Sequence, residues 1–131
     1  MLVELLKIVR YPWSPWLATV RTSFGQTVVS WGGDPAARPG EYRVEWKVAE
    51  DIEWGRNAVP AKGYGPEVRP GRHGIVLRGR LRLTGDGAGL FDLDDTTVLL
   101  NLVAPPPEGT VGTWVDLFVR RETVALHPVA H

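Results

Sequence analysis

The sequence predicts one all-β domain, a partly open small barrel or a related β-sandwich with one long loop. Three observations carry this. Apolar residues recur at every second position in many short segments, and long helical periodicity is absent. The 15 glycines and 11 prolines fall mainly between those segments, where a barrel of short strands needs its turns. The chain of 131 residues is long enough for one sizeable core and short for two.

From the N-terminus, residues 3–10 alternate as a strand, although Leu2, Leu5, Leu6 and Val9 would also make one face of a short helix. Strands are predicted at 16–22 (WLATVRT) and 26–31 (QTVVSW), joined by SFGQ and followed by the loop GGDPAARPG. The stretch 41–54 alternates Tyr42, Val44, Trp46, Val48, Ile52 and Trp54 with charged residues, but Glu50 stands where a hydrophobic side chain is due. A strand of that length would reach about 46 Å, more than twice the usual, so it must bend or break. A bulge at Glu50 would return the carboxylate to solvent and keep Ile52 and Trp54 inward. The competing reading holds Glu50 inward, at a barrel mouth that binds or transforms a small molecule. Residues 55–74 (GRNAVPAKGYGPEVRPGRHG) read as a long irregular loop, a usual place for a functional surface. Further strands are predicted at 75–84, 89–93, 97–103, 113–119 and 123–127, separated by TGDG, DLDDT, APPPEGTVG and RRE.

Composition excludes several classes. Zero formal net charge argues against binding nucleic acid by bulk electrostatics, and the absence of cysteine removes disulfides and thiol chemistry. No apolar run approaches the length of a membrane-crossing helix. The start, MLVELLKIVR, has Glu4 and Lys7 within its apolar part and no small-residue cleavage site, so a cytoplasmic location is expected. Charge is nevertheless segregated. Arg56, Lys62, Arg69, Arg72, Arg78, Arg80 and Arg82 face only Glu67 within 55–82, whereas Asp86, Asp92, Asp94, Asp95, Glu108, Asp116 and Glu122 dominate residues 83–131. The two segments are expected to neutralise one another.

Residues 78–103, RGRLRLTGDGAGLFDLDDTTVLLNLV, with the closing GTWVDLFVRRETVALHP, resemble a small Greek-key barrel of the OB type. The closing segment is also similar to the last strand pair of TOBE-like modules. The resemblance implies binding of oligonucleotides, oligosaccharides or protein partners for an OB-like barrel, and of small oxyanions or an accessory role for a TOBE-like one. It brings no catalytic residues.

Arg78, Arg80 and Arg82 alternate with Leu77, Gly79, Leu81 and Leu83, so the arginines share one strand face. With Arg69, Arg72 and His73 they form the densest basic patch. In one reading this face lies beside Glu41, Glu45, Asp51 and Glu53 and forms cross-strand ion pairs. In the other it tracks phosphates, with Tyr64 or a tryptophan as stacking platform. Of six tryptophans, Trp46 and Trp114 read as core, Trp31 and Trp54 as rim residues before glycine, and Trp13 and Trp16, in YPWSPW, as hard to bury. No metal is expected, because Pro128 prevents the helix that would align His127 with His131, and Asp92, Asp94 and Asp95 read as a hairpin turn. GDGAG fails the dinucleotide register at Leu90, there is no Walker sequence, and Ser14, Ser23 and Ser30 lie in no nucleophile elbow. Catalytic residues and cofactors are therefore expected to be none. The only acid–base set is Glu50 and Glu53 with His73.

The expectation is a non-catalytic binding module, a protein–protein interaction domain of regulatory or immunity type. Its surface would include Trp13, Trp16, Trp31, Trp54, Arg56, Tyr64 and the basic patch. Single-stranded nucleic acid or another polyanion on the Arg78/Arg80/Arg82 face is the first alternative, and a small-molecule site at Glu50 the second. Self-association through Trp13 and Trp16 is a further use of that loop.

Overall fold

A computed structural model describes residues 1–129. It is all-β. Its strands are β1 (Leu2–Val9), β2 (Leu17–Thr22), β3 (Gly25–Trp31), β4 (Gly40–Val48), β5 (Ala58–Pro60), β6 (Glu67–Pro70), β7 (Ile75–Leu83), β8 (Gly89–Leu93), β9 (Thr96–Leu100), β10 (Trp114–Val119) and β11 (Val124–Pro128). One 3-10 turn, Arg121–Thr123, precedes β11. Among the described residues no helix is long and apolar enough to cross a membrane.

Strands β1, β2, β3, β11 and β4 close a barrel. Consecutive antiparallel pairs join β1 to β2 and β2 to β3, β4 pairs with both β1 and β11, and β11 runs parallel to β3. The barrel is closed where the sequence suggested partial opening. It is also built elsewhere than the resemblance implied: the first four strands and β11 make it. Residues 49–123, between β4 and β11, form a second sheet in the order β5-β10-β7-β8-β9. Strand β10 takes one edge of β7, while β6 and β8 share the other, opposite residues 75–78 and 80–83.

The local rules explain most boundaries. In β1 the pairing register shifts between Leu5 and Lys7. The extra residue there, Leu6, interrupts the strict alternation of the strand. The stretch 41–54 does not continue as one strand. β4 ends at Val48, and beyond it only Ile52 and Trp54 make isolated bridges, to Leu102 and Ala58. The long loop 55–74 is partly regular, because β5 and β6 form at its two ends and pair with β10 and β7. The two-residue turn Asp94–Asp95 joins β8 to β9 with Asp94 at φ 54, a conformation aspartate tolerates better than most residues.

One apolar cluster runs through both sheets. Val3, Leu5, Val20, Val29, Val44, Trp46 and Leu126 from the barrel and Leu77, Leu81, Phe91, Leu93, Val98, Val115 and Leu117 from the second sheet belong to it. The sheets meet where the Val68 amide of β6 donates to the Phe24 carbonyl at the β2–β3 turn. Gly25 makes that approach possible, since it sits at φ +145 and a Cβ there would fall on the Val68 carbonyl.

Candidate functional site

Register decides what the arginine strand can do. Glu67 on β6 and Asp116 on β10 both lie directly opposite Arg78. The Arg78 guanidinium donates Nε to Asp116 Oδ1 at 2.7 Å and Nη2 to Oδ2 at 3.2 Å, with Glu67 at 3.0 Å from Nη1. Asp116 is buried, and this pairing raises the Arg78 pKa above its ordinary value. Arg82 makes a two-pronged contact with Asp92, at 2.5 and 2.9 Å, which holds the Asp92 carboxyl below its usual range. Arg69 is paired with Glu67 at 2.7 Å. Part of the basic middle is thus neutralised, by Asp92 and Asp116 of the acidic end and by Glu67 within the middle itself, rather than by Glu41, Glu45, Asp51 and Glu53.

Arg80 differs. Its directly opposed carboxylate, Asp92, is held by Arg82 and Thr97, and Arg80 forms no ion pair among the described residues. It lies instead over Trp114, its other cross-strand neighbour, 4.9 Å from the ring centroid. Trp114 is therefore half-buried rather than core. Arg80 and Trp114 form one wall of a cleft of about 580 Å³ whose other walls include Trp54, Lys62, Tyr64 and Glu108. Trp54 is half-buried, whereas Tyr64 is 92% exposed. The cleft lies at the first residue of β10, the opposite end of that strand from Val119 and the Arg120 contact with Glu50.

Glu50 does not turn to solvent. Its side chain is 12% exposed and receives the Arg120 amide at 3.0 Å, Asn57 Nδ2 at 3.1 Å, Thr123 Oγ1 at 3.2 Å and Arg120 Nε at 3.4 Å. Burial alone would push its pKa up. The Arg120 amide, then Asn57, the Arg120 side chain and Thr123, outweigh that and hold the carboxyl below the usual value. Arg56 lies 3.7 Å from Glu50 and donates to the Asp51 carbonyl at 2.8 Å. Glu50 thus ties the exit of β4 to the entry of β11. Glu50, Arg72 and His73 line one small cavity of about 160 Å³ with Arg120. Both Glu50 oxygens already accept hydrogen bonds, a poor arrangement for a proton acceptor.

Tyr11, Trp13 and Trp16 gather at one end of the barrel, on the loop between β1 and β2. Trp13 is 83% exposed and stacks on Tyr11 at 5.8 Å between ring centroids. Trp16 is 37% exposed and lies beneath the Arg10 guanidinium at 5.4 Å. The loop is set by Ser14, whose Oγ accepts from the Tyr11 amide at 3.1 Å and donates to the Pro15 carbonyl at 2.9 Å. Trp31, expected at a binding rim, is buried. Its Nε1 donates to the Asp34 carbonyl at 2.9 Å, and its ring meets Tyr42 edge-on. Trp46 is core, as its mid-strand position implied.

The sequence-predicted residues therefore separate. Trp54, Tyr64 and Arg80 share the cleft; Glu50, Arg72 and His73 share a cavity; Trp13 and Trp16 share a loop. Arg56, Arg69, Arg78 and Arg82 are held by carbonyl or carboxylate partners. Sequence reading missed Lys62, Trp114 and Asn57. Trp114 needed the β7–β10 register; Asn57, buried in the turn after Gly55, was marked only by its turn-rich surroundings. Among the described residues no cluster of three or more histidine or acidic side chains could hold a metal, and His131 lies outside them. No protein-family model matches the chain, and no curated protein or solved structure matches it.

Proposed function

We propose that the chain is a non-catalytic protein-interaction module of regulatory or immunity type, acting in the cytoplasm. The observation that carries this reading is the Tyr11–Trp13 stack beside Trp16, on a loop that Ser14 holds in shape. Rigid aromatic side chains give large contact area for little ordering entropy, and such residues dominate binding energy at protein interfaces. The closed five-stranded barrel is compatible with an OB-like barrel, and the connection after the first strand is one of the places where such barrels hold their ligands. The bound carboxylate of Glu50 favours this reading over chemistry at a barrel mouth.

Immobilised protein tests it. Wild type and a Tyr64→Ala variant are expected to capture the same protein in stoichiometric amount, and a folded Trp13→Ser/Trp16→Ser variant to lose it. Equal capture by all three overturns the reading. Sedimentation showing a dimer that Trp13→Ser dissolves, with no other partner, would assign the loop to self-association instead.

A further inference from the structure

We propose that the cleft between Trp54, Tyr64 and Trp114 binds one or two nucleotides of a single-stranded nucleic acid. This goes beyond the partner-binding loop, which lies on the barrel, whereas the cleft is lined by the second sheet and its loops. The inference starts from the arginine strand. Register gives Arg78 its carboxylate partners, while Arg82 takes Asp92 diagonally from its place opposite Arg80 and leaves Arg80 with an aromatic partner. A guanidinium lying on an indole keeps its second face and its N–H edge free, so it can stack on a base or donate to a phosphate. Lys62, on the same cleft, forms no ion pair among the described residues. Two free cations thus stand beside three aromatic rings, one of them, Tyr64, almost fully exposed.

The volume, about 580 Å³, lies within the range of small-ligand sites. Gly63, Gly109 and Gly112 line the same cleft and keep its rim low, as a continuing strand requires. Glu108 is the one acid lining it. It opposes a densely charged ligand and limits the site to few phosphates, consistent with zero net charge for the whole chain. Stacking makes recognition tolerant of base identity, with the cations reading backbone charge. An acidic peptide would use the cations without the rings, and a neutral sugar the rings without the cations.

Intrinsic tryptophan fluorescence, titrated with dT8 at 50 mM salt, reads the site directly. Octa-glutamate and a neutral maltooligosaccharide serve as comparison ligands. The proposal expects dT8 to quench fluorescence, and both Tyr64→Ala and Arg80→Gln to weaken binding about tenfold. It expects no change with Trp13→Ser. The logarithmic salt slope should be about −1.4 for two phosphate contacts, and about −0.7 after loss of Arg80. No binding of dT8, equal binding of octa-glutamate, preference for the sugar, or indifference to Tyr64→Ala and Arg80→Gln would each overturn it. Because Trp13→Ser serves as a control, failure here leaves the partner-binding loop untouched.

Discussion

Glu50 joins two parts of the chain that are 70 residues apart, through the Arg120 amide. Removing its carboxylate leaves one Asn57 Nδ2 hydrogen and the Arg120 amide short of an acceptor, while the Thr123 hydroxyl keeps the Arg120 carbonyl, a loss of about 2 kcal/mol. Glu50→Ala is therefore expected to lower stability by that amount in urea denaturation at pH 7. The folded pKa lies below the unfolded one, so the carboxylate's contribution is complete above the ordinary glutamate range and is lost as pH falls through the folded value. The gap between wild type and Glu50→Ala should accordingly narrow below about pH 4; a constant gap from pH 7 to pH 3 would contradict the assignment. Arg78 and Asp116 make a second residue-scale test. Asp116→Ala leaves a half-buried guanidinium with Glu67 alone and is expected to cost about 3 kcal/mol. The double change Arg78→Met/Asp116→Leu should cost clearly less, because both charges leave together. Chemical denaturation of the two variants compares these directly.

Among elements, the β2–β3 turn and β7 show what could be read in advance and what could not. Alternation located β2, β3, β7, β8 and β10 within a few residues, because each buries one face and period two is the direct trace of that. The same rule put Arg78, Arg80 and Arg82 on one face. It could not say which acids would stand opposite, since cross-strand partners depend on register, and register depends on pairs distant in sequence. Hence Glu67 and Asp116 were not recognised as the partners of Arg78, nor Trp114 as that of Arg80. Short strands were hidden for another reason. β5 and β6 hold three and four residues, too few for a period to show, and their prolines imitate a loop. The approach of β6 to Gly25 leads to a further prediction. Gly25→Ala should destabilise by about 2 kcal/mol or more, since it meets both a positive φ and the Val68 carbonyl. Gly85→Ala, in a turn with open space around its Cα, should change stability far less. Thermal denaturation of both variants checks the contrast.

At the scale of the whole molecule, chain order makes the two sheets depend on each other. The barrel closes only when β11 returns after the 49–123 sheet has been traversed, and the apolar cluster is continuous across both. Unfolding is expected to be a single transition, with far-UV circular dichroism and tryptophan fluorescence coinciding; two separated transitions would show that the sheets are independent units. The barrel itself was legible as a class but misplaced, because β4 and β11 are neighbours in space while the whole of 49–123 separates them in sequence, a distance no local pattern reports. The same geometry puts the aromatic loop 10–16 at the barrel end opposite the inserted sheet, so the loop proposed to dock a partner and the cleft proposed to take nucleotides occupy different surfaces. Hydrogen–deuterium exchange on the complex with the captured partner tests that division most directly. Protection concentrated in residues 10–16 and the neighbouring 32–39 loop is the predicted result. Protection confined to residues 54–64 and 108–114, with the aromatic loop unchanged, would contradict it.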